Sequence, residues 1–181
     1  MSTDLIIRHC APTLAGMKVG SLFAYNFLNL EQLYEDIKKL NFKMMKKDIF
    51  YKILSINGNR AMIYVYRKSK LNFVLTDERV QNLLKDYGYN FNALDEAIDF
   101  LCYRIKISKD FPHEIGVFLG YPIEDTECFI KNKGCNFKCS GHWKVYCNVS
   151  EAKKTFEKFR KCKNVYLEKF SQGYTLEKLT V

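Results

Sequence analysis

Cysteine chemistry needs a stabilised thiolate, most often supplied by a neighbouring imidazolium and the amide end of a helix. The sequence offers seven cysteines and three histidines. In the stretch IIRHCAPTL, His9 stands directly beside Cys10, and Cys10 is followed by Ala11, Pro12 and Thr13. A helix opening there would aim its free amides at the sulfur, with Ala11 and Thr13 as oxyanion donors. His113 precedes the apolar run EIGVFLGY and is placed at a strand end as the base, and His142 heads HWKVYC and is the expected orienting group, ahead of Glu114 or Asp125. Cys10, His113 and His142 thus form the candidate catalytic set. The opposing reading is plain packing, because cysteine is among the most buried residue types.

Two further constellations carry chemistry. Cys135, Cys139, His142 and Cys147 have the spacing C-x3-C-x2-H-x4-C, close to that of a small zinc site. The three-residue first gap and the alternation of HWKVYC, which sends His142 and Cys147 to opposite faces, favour unliganded thiols instead. The segment TLAGMKVGSLF brings Gly16, Lys18 and Ser21 together, where backbone amides and one cation suit a phosphate. No Gly-Lys-Ser/Thr sequence closes a P-loop there. Read as a binding site, the same region would hold a small anionic ligand or a redox or iron cofactor, with His9, Gly16, Lys18, Ser21 and Glu114 as contacts.

These residues must be positioned by a fold. Asn29 with Gln32 is a capping box, and Leu30, Leu33, Tyr34, Ile37, Leu40 and Met44 continue at helical spacing. Residues 49–56 and 60–67 alternate as strands around Asn57-Gly58-Asn59, a hairpin signal, and residues 71–75 suggest a third strand. Thr76 opens a helix that Gly88 closes, and Asn92 opens another through about residue 107. The apolar run 114–121 is predicted as a central strand. Pro122 begins a helix ending near Gly134, residues 142–147 alternate as a strand, and Asn148 with Glu151 caps a long last helix. The pattern predicts a single α+β domain over residues 1–181, with a mixed β-sheet made of the hairpin and later strands and covered by helices. Trp143, Phe118 and Phe129 are read as core, and Glu124 and Asp125 as first-turn acids that complement a helix dipole.

Composition bounds the function classes. Of 181 residues 48% are apolar and 27% charged, which suits a soluble globular protein, and the aromatic share of 15% is high. No apolar run approaches the ~20 residues of a membrane span. The first residues lack a secretory pattern, and an odd cysteine count then points to reduced thiols in the cytoplasm. The net charge of +9 is carried mainly by lysine on helical faces, which disfavours nucleic acid as the partner and leaves a small molecule or a protein.

Three blocks carry a family resemblance: CAPTLAGMKVGSLFAY, HEIGVFLGYPIEDTECFI and GHWKVYCN, in that order. Together they resemble the clostridial family catalogued as domain of unknown function 3793, over essentially the whole chain. The resemblance implies a bacterial, anaerobic, cytosolic setting and no defined activity. His142 departs from the aromatic residue expected in the last block. A cysteine followed by a histidine heading a Gly-containing strand is also similar in chain order to papain-like peptidoglycan hydrolases, where the histidine is the base. The expectations are therefore a thiol-dependent hydrolase or acyl transferase acting on an amide or ester, a non-enzymatic binding module, or a protein–protein adaptor.

Overall fold

The computed structural model describes residues 1–108 and 110–181. Its internal contacts divide the chain into two compact units, residues 1–70 with 159–181 and residues 71–158. Helices and antiparallel strands are both present, so the class is α+β.

The first unit is built on a three-stranded sheet of β1 (Gly20–Asn26), β2 (Ile49–Asn57) and β3 (Arg60–Arg67), ordered β1-β3-β2. Both pairings are antiparallel. The expected hairpin is present, with Gly58 at φ +57° leading the two-residue loop, a conformation that strains any side chain bearing a Cβ. α1 (Thr3–Leu14), α2 (Leu30–Met44) and α9 (Leu176–Leu179) contribute to the hydrophobic core with one face of the sheet. That core joins Ile6, Ile7, Cys10 and Leu14 to Leu33, Ile37 and Met44, and to Ile63 and Val65 of the central strand. Asn29 caps α2 by accepting from the Gln32 amide at 2.9 Å, as its sequence demands.

One expectation changes here. The helix read as starting at Pro12 ends there instead: α1 occupies residues 3–14 and Cys10 lies in its last turns. Gly16, at φ +69°, is the left-handed residue that closes it. The Gly16 amide donates to Thr13 O and the Met17 amide to Pro12 O, the paired bonds of a Schellman motif. Beyond this turn the chain enters β1.

Arg67, at the end of β3 and only 8% exposed, ties this unit together. Its Nε donates to Thr13 O at 2.7 Å, and its Nη2 donates to Leu14 O and to Val181 O, each at 2.6 Å. Terminal helix carbonyls have no partner within their own helix, and a cation there also opposes the negative end of the dipole.

The second unit is mostly helical. It contains α4 (Glu78–Asp86), α5 (Leu94–Ile107), the single turn α6 (Ile115–Phe118) and α7 (Ile123–Lys131). A two-stranded ribbon follows, of β4 (Cys139–Ser140) and β5 (Lys144–Val145). α3 (Lys68–Leu75) enters this unit and α8 (Val149–Ser171) leaves it. Asp77 caps α4 through the Arg79 and Val80 amides, and Asn148 accepts from Glu151 at the start of α8. Buried side chains include Leu84, Tyr89, Ile98, Leu101 and Phe118.

The later strands of the expected mixed sheet take other forms. Residues 71–75 are helical within α3. The run 114–121 holds α6 and a turn: Gly120 sits at φ +71°, its amide donates to Val117 O, and the Tyr121 amide donates to Gly116 O. This is a second Schellman closure, and it removes the run from any sheet. A short apolar run lacks the length that separates a buried strand from a buried helix, so its period cannot decide. HWKVYC keeps only Lys144 and Val145 as strand.

Replacing Arg67 by Met should cost on the order of 3 kcal/mol, because the carbonyl oxygens of Thr13, Leu14 and Val181 each lose a charged donor. Arg67→Lys should recover only part of this, since an ammonium lacks the guanidinium fork. Urea unfolding followed by circular dichroism checks both values.

Candidate ligand-binding site

The second unit holds an open-mouthed cavity of about 290 Å³ whose lining comes from α7, the β4–β5 ribbon and residues 111–121. Its walls are mainly rings: Phe111, Tyr121, Phe129 and Trp143, with the His113 imidazole at an exposed edge. His113 meets Phe129 edge-on with centroids 5.0 Å apart, and Tyr121 lies 5.3 Å from Trp143. Behind the cavity, Phe156 of α8 meets Trp143 edge-on at 4.5 Å.

Asp125 holds the ribbon side of this cavity in place. It lies in the first turn of α7 and is 4% exposed. Its Oδ2 accepts the Trp143 indole N–H at 2.8 Å, while Oδ1 accepts the amides of Tyr146 at 2.8 Å and Cys147 at 3.0 Å. A buried carboxylate is tolerable when N–H donors surround it, and such charge-assisted bonds are strong. Its sequence position suggested a dipole role or acid chemistry, whereas its contacts are those of an anchor. Lys144, half-buried in β5, donates to Gly134 O at 2.8 Å and lies over the rings of Phe129 and Phe137, at 5.5 and 4.9 Å from their centroids.

Two glycines let backbone form part of the wall. A Cβ at Gly141 would fall 2.3 Å from the Phe156 ring, and one at Gly116 would fall 2.8 Å from Thr126 Oγ1. Only a residue without a side chain allows these approaches.

The residues picked from sequence are distributed differently. Cys10 lies in the first unit, at 0% exposure, and burial pushes its thiol far above its ordinary range, with Lys18 pulling weakly the other way. Its place near the carboxyl end of α1 withholds the amide groups that lower a thiol pKa. Ala11 and Thr13 are likewise helical rather than loop donors, which removes the expected oxyanion geometry. His9 is exposed and stacks on Phe23 at 5.3 Å; partial desolvation, then Lys163 and Arg8, lower its pKa. The amides of Gly16 and Lys18 are engaged by the carbonyls of α1, and Ser21 is buried with its hydroxyl 2.9 Å from that of Thr13. No phosphate cradle remains. Burial brings the Lys18 ammonium down to about 8.

His113, Glu114 and His142 belong to the second unit. Glu114 turns inward, where its Oε1 accepts from Arg104 at 2.9 Å and from the Tyr89 hydroxyl at 3.4 Å. That ion pair, rather than His113, is its partner. His142 is exposed and lies 5.6 Å from the Phe156 ring. For the zinc-like set, no group of three or more His, Cys, Asp or Glu residues that could hold a metal is found among the described residues. Cys139 is paired with Val145 across the ribbon, while Cys147 is drawn to Asp125 and has the Cys128 thiol as its neighbour. All seven cysteines are free thiols.

Sequence reasoning thus missed Phe129, Lys144 and Trp143 as cavity residues. The one available signal was the aromatic excess, which marks rings but does not say which of them leave a gap.

Asp125→Ala should lower stability by roughly 3 kcal/mol, because one buried and two part-buried N–H donors lose their acceptor. The same change should move the emission of Trp143, the only tryptophan, to longer wavelength as the indole is released. Cys10 should resist iodoacetamide in the native protein and react only on unfolding, which peptide mass spectrometry with and without urea will show.

Comparison with known proteins yields one finding. No curated protein and no solved structure matches the chain. A family model described as "Protein of unknown function (DUF3793)" matches residues 6–180, nearly the whole sequence. The chain belongs to that family.

Proposed function

We propose that the second unit is a binding module that holds a compact, ring-bearing small molecule without covalent chemistry. The observation that carries this reading is the aromatic-walled cavity of about 290 Å³ with a few polar groups at its edge. Ligand sites are typically concave and largely apolar, with few polar groups to set orientation. The volume is at the small end of such sites. A cavity of about 150 Å³ suffices for benzene, so roughly twice that suits one ring with a short side chain or a fused pair. The rings are braced from behind by Phe156 and Asp125, so the walls are preorganised, and little ordering cost is left to the ligand.

A thiol hydrolase finds no comparable support. Its nucleophile would be Cys10, whose burial and position near a helix carboxyl end both favour the neutral thiol. Seven free thiols suit a reducing cytoplasm, where we place the protein, and among the described residues no helix is long and apolar enough to cross a membrane.

A library of one- and two-ring fragments tests the reading, observed through the single Trp143 indole cross-peak in ¹H–¹⁵N spectra of labelled protein. Binding fragments should shift this peak saturably. Ser140→Phe, which adds a ring at an exposed point of the lining, should weaken that response at least tenfold while leaving the fold intact. Absence of any saturable shift across the library overturns the proposal.

A further inference from the structure

The charges around the cavity point to a narrower class of ligand. Asp125 is the one carboxylate of the lining, and both of its oxygens are occupied by N–H groups of the protein. It has little capacity left to receive a ligand cation. Lys144 is the one ammonium among the described residues of the lining. It gives one of its three N–H donors to Gly134 O, and its charge rests on the faces of Phe129 and Phe137. The His113 ring abuts the same Phe129. The polar side of an otherwise aromatic cavity is therefore cationic and rich in donors.

We infer that the cavity selects an aromatic acid: one ring with a short side chain, or a fused pair, bearing a carboxylate that pairs with Lys144. This deepens the binding reading above and rests on it. A ring-bearing cation would meet Lys144 as a like charge, and a neutral ring would leave the donors of Lys144 without an acceptor. A carboxylate answers both, and in a site shielded by rings the pairing is screened less than at the surface. Phosphate esters fit less well. The lining contains no arginine fork, and the N-cap of α7 is Pro122, which has no N–H to add to that helix end as a phosphate cradle.

The experiment compares two probes of the same shape, cinnamate and its neutral amide cinnamamide, by isothermal titration calorimetry at low salt. Wild-type protein should bind cinnamate at least tenfold more tightly than cinnamamide. Lys144→Gln should abolish that ratio while changing cinnamamide affinity less than threefold. Lys131→Gln, at an exposed position of α7 outside the lining, should leave the ratio in place. Equal affinity for the two probes in wild-type protein overturns the aromatic-acid inference and leaves the cavity as a site for neutral rings. A preference that survives Lys144→Gln overturns the assignment to that residue. If neither probe binds while other fragments shift the Trp143 peak, the ligand class is wrong; if nothing shifts it, the binding reading itself has failed.

Discussion

A single carboxylate organises the second unit. Residues 132–148 contain little regular structure beyond two strands of two residues each, so their backbone groups cannot be positioned by a helix or a wide sheet. Asp125 supplies the missing constraint from the regular element beside them. It accepts from one side chain and two consecutive amides of this segment. The position of Trp143, the exit of β5 and the entry to α8 all follow from those three bonds. An asparagine would present an amide nitrogen where an acceptor is required, so the anion is needed for its acceptor capacity rather than for acid chemistry. Among the described residues its charge is balanced by N–H dipoles rather than by a cation.

The first unit solves the same problem with the opposite charge. The carbonyls that end α1 and the carbonyl of Val181 converge on Arg67. Here the constraint lies at the end of the central strand, which already has partners on both sides, so the guanidinium is fixed by the sheet before it reaches the carbonyls. In each unit a buried ion does what regular hydrogen bonding cannot do, and in each it is a residue whose role is invisible without its partners.

Local chemistry was legible where it was self-contained. The caps at Asn29 and Asn148 and the Gly58 hairpin each need only a few adjacent residues, and each is present. Failures came where one local pattern serves two structures. EIGVFLGY satisfies a buried strand and a buried helical turn equally, and the left-handed Gly120 decides for the turn. Cys10 next to Pro12 suggested a helix opening, whereas Gly16 two residues beyond the helix marks its closing. The site was harder still. Phe129 and Trp143 have the types and spacing of core residues, and an aromatic residue beside a cavity has the same local sequence as one beside another side chain. Only three-dimensional closure separates the two.

That closure also explains why the gap persists. Large apolar voids are unfavourable, and a side chain free to move would fill this one. The walls cannot move freely. Trp143 is held by a hydrogen bond at its nitrogen and by Phe156 at its ring, and Gly141 lets the ribbon backbone lie directly against that same Phe156. Lys144, at the edge of the gap, is held in place by Gly134 O and two ring faces. Each restraint costs the folded state some packing that a collapsed wall would regain. A molecule that fills the space restores that packing and stabilises the fold through linkage, by an amount set by its concentration relative to its Kd. Restraints on the walls and the fit of an occupant are thus two sides of one balance.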